Sequence, residues 1–83
     1  MSEKVMIYTL STCSHCKAAK KFLTEQGVAY TYKDVDLLTG DERTKTIAEV
    51  KKHNAACSFP TILVGDKVIV GFNEYALREA LNL

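Results

Sequence analysis

Cys13-Ser14-His15-Cys16 sets two thiols three residues apart. Side chains at that spacing are neighbours on an α-helix, with Cβ atoms roughly 5–6 Å apart. A disulfide needs Cα atoms roughly 4.4–6.8 Å apart, so such a pair can open and close a bond with little backbone motion. The preceding run Val5-Met6-Ile7-Tyr8 suits a short buried strand, and Leu10-Ser11-Thr12 reads as a loop. Cys16, Ala19, Phe22 and Leu23 then recur at helical spacing. Thr12 or Cys13 therefore falls at the helix N-cap, where unpartnered N–H groups and the helix dipole favour an anion. A Cys13 thiolate is stabilised there, below the free-thiol pKa of about 8.5. Lys17, one turn on, adds under about 1 kcal/mol if exposed.

Cys13 is the expected nucleophile. Cys16, one turn inside and nearer the core, is expected to stay a thiol until it resolves the mixed disulfide. His15 either stabilises the Cys13 thiolate and makes the pair more oxidising, or is an exposed helix residue with no special role. A second reading uses the same thiols for metal: Cys13, Cys16, His53 and Cys57 form a Cys₃His set whose His53-x-x-x-Cys57 half has near-zinc spacing. Cys57 on its own reads as a packed thiol, with a third redox thiol as the alternative.

The elements that must hold these groups follow from the periodicities. The first helix stops at Gly27. Val28-Ala29-Tyr30-Thr31-Tyr32-Lys33-Asp34-Val35-Asp36 is rich in β-branched and aromatic residues and reads as a second strand. Thr39 and Glu42 fit a capping box opening a helix to about Asn54, with a thin apolar face of Ile47, Ala48 and Val50. Cys57-Ser58-Phe59-Pro60 is a turn. Thr61–Val64 and Lys67–Val70, separated by Gly65-Asp66, form a hairpin. Asn73 caps a last helix whose apolar face would use Tyr75, Ala76, Leu77, Ala80 and Leu81. Tyr8, Tyr30, Tyr32 and Phe22 are read as core or strand-face residues, and Lys17, Lys20 and Lys21 as a solvated face. The order is β-α-β-α-β-β-α, expected to form one domain over residues 1–83.

A formal net charge of +1 gives no case for nucleic acid or a membrane surface as partner. No apolar run approaches the ~20 residues of a membrane span. Glu3 and Lys4 with only a short apolar run after them do not make a secretory signal, and three cysteines, an odd number, do not make a disulfide scaffold. The expectation is a cytoplasmic monomer.

The strand before Cys13-Ser14-His15-Cys16, the Phe59-Pro60 step before a hairpin and the Val70-Gly71-Phe72-Asn73 step before the last helix, in that order, resemble the glutaredoxin family of the thioredoxin superfamily. The likeness is to its short redoxins, which include electron donors of ribonucleotide reductase. It implies an α/β, thioredoxin-like fold: a four-stranded mixed sheet, the first two strands parallel and the last two antiparallel, flanked by three helices. It implies a cis Pro60 and a Phe59 backbone that pairs with an extended substrate or with glutathione. Thr12, Ser14 and His15 would line the substrate side of the thiols. Pro60, Gly71, Phe72 and Asn73 would also bind substrate.

The implied activity is dithiol–disulfide oxidoreduction on protein or glutathione mixed disulfides, with no bound organic cofactor. Glutathione, or thioredoxin reductase with NADPH, would be the external reductant. Leu10 stands where glutathione-using members usually carry Lys, and Val70-Gly71-Phe72-Asn73-Glu74 where they carry Gly-Gly and then Asp. Gly71-Phe72 is more like redoxins served by thioredoxin reductase. The rival classes are a zinc- or iron–sulfur-binding domain using Cys13 and Cys16, and a non-catalytic module gripping a partner with the Pro60 loop.

Overall fold

Alternation along the central strands sorts the core onto two faces of one sheet. In β1 (Val5–Thr9), Val5 and Ile7 point one way while Met6 and Tyr8 point the other. β3 (Thr61–Val64) repeats the pattern, with Ile62 and Val64 on the first face and Leu63 on the second. The first face is closed by Ala19, Phe22 and Leu23 of α1 (Ser14–Glu25) and by Leu77 and Ala80 of α3 (Glu74–Leu81). The second is closed by Val50 and Ile47 of α2 (Gly40–His53) with Val35. The computed structural model of the chain describes residues 4–83; Glu3, one of the charges weighed against a leader, lies outside them.

The sheet order is β2-β1-β3-β4. β1 pairs parallel with β2 (Thr31–Asp34), from Met6–Thr31 to Thr9–Asp34, and antiparallel with β3. β3 and β4 (Lys67–Val70) form the expected antiparallel hairpin. This is the mixed, thioredoxin-like architecture of the glutaredoxin fold. Among the described residues, no helix is long and apolar enough to cross a membrane.

Several sequence expectations need correction. β2 is shorter than its β-rich composition implied. At its start, the Val28 N–H is spent on the Leu23 carbonyl (2.9 Å) and the Gly27 N–H on Thr24 (3.1 Å). These two bonds close α1 as a Schellman motif, with Gly27 at φ 69°. At its end, Val35–Leu37 coils into a 3-10 turn. Thr39 does stand at the N-cap of α2, but its side chain makes no cap bond. Gly40 enters the helix at φ 58°, and this left-handed step leaves the first turn loose, with Arg43 N to Thr39 O at 3.5 Å.

The apolar face of α2 is thinner still than expected: Ile47 and Val50 pack inward with Thr46 beside them, while Ala48 is exposed. Tyr75 does not join the core: it is 72% exposed, because it lies about 200° around the helix from Leu77. Tyr32 is also exposed, on the β2 edge. Tyr8 is buried, and its hydroxyl donates to Glu49 of α2 (3.0 Å). Burial first, then that bond to a carboxylate, push the Tyr8 phenol up to about 12.

Candidate active site

The nucleophile position is built by a short turn. β1 ends at Thr9, and the Cys13 N–H donates back to the Leu10 carbonyl (3.2 Å). Cys13 is then the N-cap of α1, extended at φ −83° and ψ 120°. Its sulfur occupies the place of a capping oxygen and accepts the Cys16 N–H at 3.4 Å. Cys13 is half-buried, Cys16 fully buried, and all three cysteines are free thiols.

The two thiols are displaced in opposite directions. Desolvation acts to raise Cys13, but hydrogen bonds from the Cys16 side chain and from the backbone of Cys16 and His15 together outweigh it and hold Cys13 below the ordinary thiol range. Cys16 is pushed up, by burial first and then by the bond it makes to Cys13; Thr9 and the Leu10 backbone pull the other way without winning. The outer sulfur is thus the readier anion and the inner one the reserve proton carrier.

Two acidic groups missed in the sequence tie α1 and the loop before it to the β2 side of the sheet. The Asp36 carboxylate, in the 3-10 turn, accepts both the Ser11 N–H (2.9 Å) and the Ser11 hydroxyl (2.6 Å). These bonds hold the Asp36 carboxyl below its usual range. Asp34 pairs with Lys20 at 3.4 Å, and the same ammonium sits 4.0 Å from the Tyr32 ring centroid. Lys20 therefore ties α1 to β2 and is not part of a freely solvated face. Neither acid carries a local sequence signal, since both fall inside the β-rich run Val28–Asp36 that reads simply as a strand.

The Phe59–Pro60 bond is cis. Pro60 is buried, and its carbonyl accepts the Gly71 N–H at 2.7 Å, which brings the two distant motif steps together. Gly71 lies at φ 78°, a left-handed conformation that suits glycine. Phe59 is half-buried against the α2-side core. Among the described residues, no hydrogen bond uses its backbone N–H or C=O. Thr12, Ser14 and His15 are exposed around the thiols. Phe72 packs against Phe22, ring centroids 6.0 Å apart, and Asn73 caps α3 by accepting the Ala76 N–H (3.1 Å).

His53 and Cys57 do not complete a metal set. His53 is exposed at the end of α2, while Cys57 packs into the Tyr8–Val35–Val50 cluster. Among the described residues, no three or more His, Cys, Asp or Glu side chains gather to hold a metal ion. The Cys₃His reading is corrected accordingly.

Comparison with known proteins agrees with this geometry. The family model described as Glutaredoxin matches residues 5–69. Methanoredoxin of Methanosarcina acetivorans superposes with a TM-score of 0.94 at 44% identity, over 99% of this chain and 87% of that one. The glutaredoxin grx-1 of Archaeoglobus fulgidus superposes with a TM-score of 0.89 at 40% identity, over 94% and 85%. Glutaredoxin 1 of Rickettsia conorii is 36% identical over 67 residues, 81% of this chain, which spans 62% of that protein's length. Sequence, sheet topology and paired thiols agree: the chain belongs to the glutaredoxin family.

Proposed function

We propose that the chain is a dithiol–disulfide oxidoreductase acting as a single domain over residues 1–83. The observation that carries this is the Cys13 sulfur at the start of α1, accepting the Cys16 N–H at 3.4 Å. The Cys13 thiolate attacks one sulfur of a substrate disulfide, that S–S bond breaks, and the other sulfur departs as a thiolate. Cys16 then attacks the Cys13 sulfur and its proton passes to the departing group. A Cys13–Cys16 disulfide forms, the substrate sulfur leaves as a second thiol, and two electrons have moved from the pair to the substrate.

Disulfide-bearing proteins or glutathione mixed disulfides are the proposed substrates. The Phe59 backbone, free among the described residues, supports a role in pairing with an extended segment of either. Thr12, Ser14 and His15 would border that segment on the thiol side, and Pro60, Gly71, Phe72 and Asn73 beyond it. The oxidised pair is returned by glutathione or by thioredoxin reductase drawing on NADPH; Leu10 and Gly71-Phe72 favour the reductase. We place the protein in the cytoplasm as a monomer. Cys13→Ser is expected to lower the disulfide-reduction rate of the purified protein by at least about 10³-fold. An unchanged rate would remove the redox reading and favour the binding module.

A further inference from the structure

Asn54 is a polar side chain more than nine-tenths buried, at the point where α2 ends and the loop to β3 begins. Its amide nitrogen reaches three acceptors: the Ser58 carbonyl (3.2 Å), the Ser58 hydroxyl (3.0 Å) and the Thr61 hydroxyl oxygen (3.2 Å). Its amide oxygen accepts the Ala56 N–H (3.2 Å), and its backbone carbonyl accepts the Cys57 N–H (2.9 Å). The Thr61 hydroxyl, fully buried, donates to the same Ser58 carbonyl (2.8 Å).

Beyond this network the loop is held by the packing of Cys57 and Phe59 against the α2-side core and by the buried Pro60, whose carbonyl accepts the Gly71 N–H. Ala55, Ala56 and Ser58 are exposed, and Cys57 takes a left-handed φ of 52°, a conformation that needs surrounding support in a non-glycine residue. The Ser58 carbonyl belongs to the peptide group that enters Phe59, and Thr61 follows Pro60. The network therefore fixes the chain on both sides of the Phe59-Pro60 step while making no bond to the Phe59 backbone itself.

We infer that Asn54, with Thr61, is a positioning residue that presents the Phe59 backbone to peptide substrates. The inference rests on the proposed oxidoreductase function. It predicts a specific split: the network governs reaction with a disulfide that carries a peptide backbone, not the reactivity of Cys13 itself.

The test compares two thionitrobenzoate mixed disulfides in single turnover with reduced protein, one of a short unstructured cysteine peptide and one of 2-mercaptoethanol. In each, Cys13 attacks the sulfur of the peptide or of mercaptoethanol, and yellow thionitrobenzoate leaves with the bonding electron pair. Thr61→Val, isosteric and without the hydroxyl, is expected to slow the peptide reaction about tenfold and to change the mercaptoethanol reaction within about twofold. Thr61→Ser, which keeps the hydroxyl, should retain the parent rate with both. Asn54→Asp keeps the acceptor for Ala56 but loses the donor to Ser58, and should show the same split more strongly.

If both reactions slow together, or neither slows, the inference is overturned; if Asn54→Asp does not fold, Thr61→Val decides alone. Cys13→Ser separates this from failure of the function itself. A Cys13→Ser protein that reacts like the parent removes the oxidoreductase reading, whereas an inert one beside an unsplit Thr61→Val removes only the role of Asn54 and Thr61.

Discussion

Two loops flank the thiols, and they are held by opposite means. Leu10–Thr12 is short, bridges β1 to α1, and closes on itself through the Cys13 N–H and the Leu10 carbonyl. Its outside tether is the exposed carboxylate of Asp36 on Ser11. The loop from Ala55 to Pro60 is longer and is tied from within, by the buried Asn54 amide and Thr61 hydroxyl. Chain continuity between two rigid elements already dictates most of the first loop, and water can stand in for its tether. The second has left-handed backbone at Cys57, and although Cys57, Phe59 and Pro60 pack inward, apolar contact does not specify the path of the backbone between them. Its form depends on buried polar groups that water cannot replace.

That contrast is broken most easily at Asn54. Asn54→Ala leaves the Thr61 hydroxyl, the Ser58 carbonyl and the Ala56 N–H short of partners, and should destabilise the fold by about 2–3 kcal/mol. Chemical denaturation should show a lower midpoint with unchanged slope; a loss under about 0.5 kcal/mol would erase the distinction between the loops. Lys20→Met tests the anchor on the α1 side, which is intermediate in exposure. It keeps most of the stem but removes the charge from Asp34 and the Tyr32 ring, with an expected loss of about 0.5–1 kcal/mol in the same measurement.

Asp36→Asn should have the smallest effect, and one that depends on pH. The folded-state pKa of Asp36 lies below its ordinary 3.8. Its contribution is therefore present above that value and lost as pH falls through the lowered one. Parent and Asp36→Asn proteins should differ in denaturation midpoint near neutrality and converge in acid. A difference that persists or grows on acidification would show that Ser11 is not held by the charged carboxylate.

What the sequence disclosed follows the same division. The strand–thiol–helix unit, the hairpin and the last helix were legible because periodicity and turn residues act over a few positions. Cys13 and Cys16 were legible because their chemistry depends on spacing and on a helix end. The length of β2 was not, since it is set by how Val28 closes α1 and by where β1 stops. Asp36 reaches Ser11 across 25 residues of sequence, and Lys20 reaches Asp34 across 14; neither contact has a local pattern. Asn54 stood in between: an Asn at a helix end, accepting from the N–H two residues on, is a recognisable turn signal, but its reach to Thr61 is visible only in the fold.

The proposed chemistry rests on an outer sulfur that ionises before the inner one. The direct measurement is the rate of Cys13 alkylation by iodoacetamide as a function of pH, with the modified residue identified by mass. The expected midpoint lies below the free-thiol value of about 8.5, with Cys16 unmodified until higher pH. A Cys13 midpoint at or above that value, or Cys16 reacting first, would contradict it.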